Sequence, residues 1–150
     1  MRNLKKIIIV LLIIIIVIGG GVFYLGLTDS LKINRVMEGA KKGMEKEDIN
    51  LLMSYVSHKY MDDYGFDYPM ARRFMSGLFK DFDNFEVTID NPVIKIQDDA
   101  ATIQFYLWIS VEWNGSSAYI VGTNRAGANV RAHLKKEFLN WKVVKIEGVR

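Results

Sequence analysis

The sequence predicts an α+β domain behind a hydrophobic N-terminal segment, and three observations predict it. Residues 7–27 carry no charged side chain, apolar residues from Leu31 to Phe82 recur at helical spacing, and from Phe85 onward the apolar period drops from 3.6 to 2. Helices first and strands afterwards, rather than the two in alternation, is the order of a fold with helices packed on one face of a mostly antiparallel sheet.

The run from Ile7 to Leu27 is 21 residues long. At about 1.5 Å per residue such a helix spans roughly 30 Å, the thickness of a bilayer's hydrocarbon core, so a transmembrane helix is expected. Arg2, Lys5 and Lys6 precede it and favour a cytoplasmic N-terminus. The reading is a single-pass protein of the cytoplasmic membrane, with a basic flank and anchor over 1–27 and an extracytoplasmic α+β domain over 28–150. A charged start and an apolar run also describe a cleavable secretory signal, and Gly19-Gly20-Gly21 would supply small residues for a peptidase. Length and the lack of an Ala-x-Ala pattern near the segment's end favour retention.

Thr28-Asp29-Ser30 are cap-type residues before Leu31, Val36, Met37, Ala40 and Met44, which share one helical face. Glu47-Asp48 caps a second helix with Ile49, Leu51, Leu52, Tyr55, Val56 and Tyr60 on one side, expected to end near Met61. Residues 62–67 read as a loop, and Pro69 stands in the first turn of a third helix striped by Met70, Phe74, Leu78, Phe79 and Phe82. Strands are then expected over Phe85–Ile89 and Val93–Ile96, either side of Asn91-Pro92. After the Asp98-Asp99 turn, Ala101 to Val111 alternates, with Ala101, Ile103, Phe105, Leu107, Ile109 and Val111 facing inward and Thr102, Gln104, Tyr106, Trp108 and Ser110 outward. Asn114-Gly115 turns the chain into Ala118–Val121, and a turn at 124–127 leads to a strand over Ala128–Glu137. The last strand runs from Trp141 to Glu147.

Composition excludes several functions. The formal charge of +3 belongs to Arg2, Lys5 and Lys6, because the remaining 17 Lys and Arg face 17 Asp and Glu, all after residue 27. A neutral domain lacks the basic field that nucleic-acid binding requires, so nucleic acid is not an expected partner. With no cysteine there is no disulfide, thiolate metal site or catalytic thiol. Asp62-Asp63 and Asp98-Asp99 lack the spaced oxygen ligands of a calcium loop, so no metal is expected.

The segments MEGAKKGMEKEDINLLMSYVSHKYMDD, PMARRFMSGLFKDF, FEVTIDNPVIKIQDDAATIQFYLWISV and the closing WKVVKIEG together resemble the nuclear transport factor 2-like (NTF2-like) superfamily, over most of residues 30–148. That resemblance implies a cone-shaped, cystatin-like roll, three helices wrapped by a curved sheet, with a pocket at the open end. Enzymes of the superfamily place an acid or base and a Tyr or Asp donor there, which makes Tyr55, Tyr60 and Asp63 the pocket candidates. His58 lies at the polar edge of the second helix and His133 on the outer face of its strand, poor positions for a base. The same frame also hosts binding modules and assembly scaffolds, so fold raises no one activity.

Tyr106 and Trp108, with Glu112 beyond them, put large aromatics among Thr, Gln and Ser on the outward face, as a contact surface does. The resemblance implies pairing through this face. The function expected is therefore a membrane-anchored binding or assembly module, without cofactor, contacting a second copy or a larger envelope complex through Tyr106, Trp108 and Glu112. Catalysis is not the leading expectation. The alternative is a small enzyme or ligand-binding protein of the polyketide-cyclase or ketosteroid-isomerase type.

Overall fold

A computed structural model of the chain describes Ile15 and residues 28–149. The expected anchor over 7–27 lies, Ile15 apart, outside the described residues. Among those described, no helix is long and apolar enough to cross a membrane. The element order is α1 (residues 28–45), α2 (Ile49–Ser54), α3 (Tyr68–Asp81), then β1 (Asp83–Gln97), β2 (Ala100–Trp113), β3 (Ser116–Val121), β4 (Ala128–Glu137) and β5 (Asn140–Glu147). All strand pairs are antiparallel, in the order β1-β2-β4-β5, with β3 beside the far end of β2. This is the α+β arrangement the change of period predicts.

β2 organises the sheet. Its first half, Ala100 to Leu107, pairs with β4, its second half, Ile109 to Trp113, pairs with β3, and its whole length pairs with β1 on the other side. The inward residues of this one strand therefore enter two apolar clusters. In the first, Ala101 and Ile103 meet Ala132 and Leu134 of β4, Trp141 and Val143 of β5, Tyr60, and Ile33 and Val36 of α1. In the second, Ile109 and Val111 meet Phe85, Val87 and Val121, covered by Met44 and by Leu78, Phe79 and Phe82 from α3 and its end.

The helices approach closely where side chains are missing. A Cβ on Gly43 would lie 2.6 Å from the Leu52 amide nitrogen, so only glycine lets α1 meet α2. A Cβ on Gly39 would lie 2.2 Å from Cζ of Tyr55, whose ring rests on α1 there. Asp48 caps α2 by accepting from the amides of Asn50 and Leu51 (3.0 and 2.9 Å), and Asp67 caps α3 by accepting from Met70 (2.9 Å).

Three expectations need correction. The second helix stops at Ser54 and not near Met61, because the chain leaves it to line the edge of β5: Ser57 N–H donates to the Val143 carbonyl (2.8 Å), Val143 N–H to Tyr55 (2.9 Å) and Met61 N–H to Val144 (3.1 Å). Ser57, 1% exposed, donates its hydroxyl to Glu137 (2.5 Å) and accepts from the Lys59 amide (3.0 Å). Thr28-Asp29-Ser30 do not cap α1, since they are already helical. Asp29 instead accepts from Lys136 Nζ (2.9 Å) and Trp141 Nε1 (3.1 Å), fastening α1 to the β4–β5 hairpin. Burial alone would raise the Asp29 pKa, but those two bonds and the Lys136 and Lys32 charges outweigh it and hold the carboxyl below its ordinary value. Third, the two short strands expected around Asn91-Pro92 are one strand, β1, with a register shift between Asp90 and Val93 and a positive φ of 51° at Asn91.

Trp141, 1% exposed, joins the first cluster to that Asp29 bond. Trp141→Ala is expected to lower the unfolding free energy by about 3–5 kcal/mol in urea titration, with the m-value preserved. A loss within about 0.5 kcal/mol, the scale of an ordinary surface substitution, would contradict this packing.

Candidate functional site

The outward side chains of β1, β2 and β4 form one continuous face on the side of the sheet away from the helices. Register places Tyr106 between Asp90 and Asn129, Gln104 between Val93 and Arg131, and Thr102 between Lys95 and His133. A groove of about 530 Å³ runs over these rows, walled by Val93, Gln104, Tyr106, Asn129 and Arg131. Tyr106 is 44% exposed and Val93 53%, so the groove holds accessible apolar surface with amides and a guanidinium around it. Gln104 Nε2 and Asn129 Oδ1 are 3.3 Å apart across its floor.

Beyond Tyr106 a second depression, of about 420 Å³, is framed by Glu86, Thr88, Asp90, Trp108, Ser110 and Tyr119. Trp108 does not stand free in it. Its Nε1 donates to the Thr123 carbonyl (3.1 Å), and its six-membered ring lies where a Cβ on Gly127 would come within 2.8 Å. The turn is held over the indole by the Thr123 hydroxyl, which accepts from the amides of Arg125 (3.2 Å) and Ala126 (3.1 Å). Trp108 is thus half-buried under the chain's own turn, and Tyr106 is the more available anchor. Glu112, exposed at the end of the row, accepts from Asn84 Nδ2 (2.6 Å). Tyr119, 50% exposed, joins the aromatic surface and was not among the sequence candidates. Its alternation with Ala118 and Ile120 across the Asn114-Gly115 turn is the signal that places it on this face.

One border of the face is charged. Glu147 receives Lys145 at 2.8 Å, His133 Nε2 at 3.4 Å and Arg131 at 3.7 Å, and Lys145 also reaches Asp63 at 2.8 Å. The Lys145 ammonium, and after it His133, holds the Glu147 carboxyl below its ordinary pKa, while Asp63 and then Glu147 push Lys145 up. The pairs are solvent-accessible and contribute more to placing side chains than to stability.

The three pocket candidates have separate partners. Tyr60 is 7% exposed, bonded to Asp62 and to the backbone of Ile146; burial first, and then Asp62, raises its phenol to about 12. Tyr55 rests on Gly39 of α1, and Asp63 is exposed and engaged by Lys145. Asp62 also accepts from the amides of Tyr64 and Phe66 (2.9 Å each), closing the loop before α3. The His58 ring meets that of Tyr68 at a tilt of 41°, with ring centroids 4.3 Å apart. Among the described residues no three His, Asp or Glu side chains gather to hold a metal ion.

No protein-family profile matches the sequence, and no curated protein matches it. Solved structures do. An NTF2-like protein with a cystatin-like fold from Novosphingobium aromaticivorans aligns with a TM-score of 0.67 at 13% identity, over 85% of this chain and 84% of that one. A provisionally assigned scytalone dehydratase from the same organism aligns at 0.68 and 11% identity, over 81% and 83%. The Bdellovibrio bacteriovorus protein Bd1075 aligns at 0.64 and 14% identity over 77% of this chain, which spans only 39% of that protein. The domain has the NTF2-like, cystatin-like fold.

Tyr60 gives a direct check on these placements. In an ultraviolet difference titration one of the seven tyrosines should ionise about two units late, near pH 12. The raised pKa means that the native state holds its proton more tightly. This stabilisation is complete below pH 10 and is lost as pH rises from 10 to about 12. Tyr60→Phe should abolish the late component; its persistence would show that Tyr60 is not the shielded phenol.

Proposed function

We propose that this cystatin-like domain is a membrane-anchored binding module that takes a protein partner on the outer face of its sheet, with residues 7–27 as the anchor and the domain outside the cytoplasmic membrane. The observation that carries the reading is the 530 Å³ groove centred on Tyr106, which offers exposed apolar area ringed by Asn129, Gln104 and Arg131. An aromatic core with amide and guanidinium groups at its rim is the composition of a contact surface. Anchoring strengthens such a contact: two partners held in one membrane meet at high effective concentration, so a modest interface suffices. A second copy of the chain is the first partner to test.

In detergent, the full chain should sediment as a dimer at micromolar concentration. Tyr106→Arg, which sets a charge beside Arg131 in the groove, should weaken association at least about thirtyfold, the scale of an interface hot spot of about 2 kcal/mol. A one-chain mass for both proteins removes self-association, and an unchanged dimer moves the interface off this face.

A second reading, a small-molecule site on the helix side of the sheet, draws on the exposed apolar residues of α3. None of its residues is buried, and Met70 (43%) and Phe74 (53%) are exposed although they begin its apolar stripe. Phe74 meets Phe66 edge-on at 5.7 Å, leaving the rest of its ring accessible. The neighbouring structure provisionally assigned as a dehydratase is consistent with it. An apolar fluorescent probe should then bind the native domain, with affinity lowered several-fold by Phe74→Ala. The absence of saturable binding would eliminate this reading.

A further inference from the structure

The β4–β5 hairpin turns through two residues, Phe138 and Leu139, between the paired Glu137 and Asn140. Such turns favour Asn-Gly or Asp-Gly, which accept positive φ and water. Here Phe138 takes a φ of 56° and is 99% exposed, and Leu139 is 74% exposed. Two large apolar side chains at the tip of a tight turn, one of them in a backbone region it disfavours, gain nothing from the fold they cap.

Their position supplies a reason. Lys136 and Trp141, the residue pair just inside the turn, are the two that bond Asp29. The hairpin tip therefore lies at the end of the domain where the described part of α1 starts, next in sequence to the apolar segment 7–27. The tip also stands proud: Lys136 N–H donates to the Asp99 carbonyl, so the Asp98-Asp99 turn is level with residue 136, and Phe138 extends two residues farther, at roughly 3.3 Å per residue. Leu31, 61% exposed, adds apolar surface at the start of α1.

Beside the tip is a groove of about 340 Å³ that presents Lys32, Arg35 and Lys142 with Trp141 and Asn140. Lys136 offsets Asp29, and Lys135 offsets Asp99 at 3.9 Å. Neither Arg35 nor Lys142 is ion-paired with a carboxylate among the described residues; Lys142 donates to the Ser54 carbonyl. Arg35 and Lys142 thus stand without a carboxylate partner beside exposed apolar residues at this end, which they share with Asp98 and with Glu137, the latter engaged by the Ser57 hydroxyl.

We infer that this end docks on the bilayer that holds the chain, Phe138 and Leu139 entering the interfacial region while Lys32, Arg35 and Lys142 meet anionic lipid headgroups. Apolar insertion and headgroup attraction are the two components of interfacial binding. Docking would give the domain a second attachment besides residues 7–27 and fix which way its sheet faces. The inference rests on the anchored reading, and the test separates the two.

Because the chain has no cysteine, single Cys variants can be labelled uniquely with a polarity-sensitive fluorophore. The full chain carrying Leu139→Cys, Ile13→Cys or the exposed Ser117→Cys would be placed in lipid nanodiscs containing acyl-chain spin labels, with phosphatidylglycerol or with phosphatidylcholine alone. Quenching is expected at 13 and 139 and not at 117, stronger at 139 in the anionic discs. Each of Arg35→Gln and Lys142→Gln should reduce the docked fraction relative to the undocked about fivefold. Circular dichroism would verify that the variants are folded. Quenching at 13 without quenching at 139 overturns docking and leaves the anchor standing. No quenching at 13 overturns the anchor and docking together, and equal quenching at 139 and 117 overturns the assignment to this end.

Discussion

Everything in this domain hangs from the pairing of β2. One strand of 14 residues bonds to β1 along its length and divides its opposite edge between β4 and β3, so its strict alternation is imposed on three neighbours at once. A slip of one residue would turn Ala101, Ile103, Ile109 and Val111 to water and bring Gln104, Tyr106 and Glu112 inward. Both apolar clusters are built on that strand, so the helices have no independent place to pack. α1 lies over its first half through Ile33 and Val36, and the end of α3 over its second through Leu78 and Phe79.

The same pairing divides the chemistry. On the helix side the polar groups are used in holding the fold together: Tyr60 on Asp62, Ser57 on Glu137, Asp29 on Lys136 and Trp141. On the outer side amides, hydroxyls and aromatic rings remain beside one another, and among the described residues only the turn over Trp108 covers them. Surface of that kind is ordinary in isolated residues and informative when contiguous. It shifts attention from the pocket that cystatin-like folds invite to the back of the sheet.

Legibility in the sequence followed the range of the interactions. The alternation from Ala101 to Val111 and the acidic cap Asp48 are local, and the structure keeps them. The end of α2 was not legible, because Tyr55, Val56 and Tyr60 suit a helical face equally well until Val143, some 90 residues on, competes for their backbone. The cap propensity of Asp29 was overridden in the same way by the distant Lys136 and Trp141. At the candidate face, Tyr106, Trp108 and Glu112 were readable from period alone. That Trp108 lies under the 122–127 turn was not, since it depends on Gly127 meeting a ring 19 residues earlier. Phe138 gives no signal in the sequence, because two-residue turns are expected to be polar.

The two margins of the sheet are finished differently. Along β5 the margin is closed by residues 55–61, while β1 has no strand partner beyond β2 among the described residues; only its start is met, by side chains, Asn84 N–H donating to Glu47 (3.0 Å) and Val87 N–H to Glu45 (3.2 Å). The remaining open edge of such a strand is a template on which further chains can polymerise. The kink at Asn91, the missing amide hydrogen of Pro92 and the charge of Lys95 interrupt that template near its middle. Copies of the domain at high local density are thereby hindered from stitching themselves into ribbons through this edge.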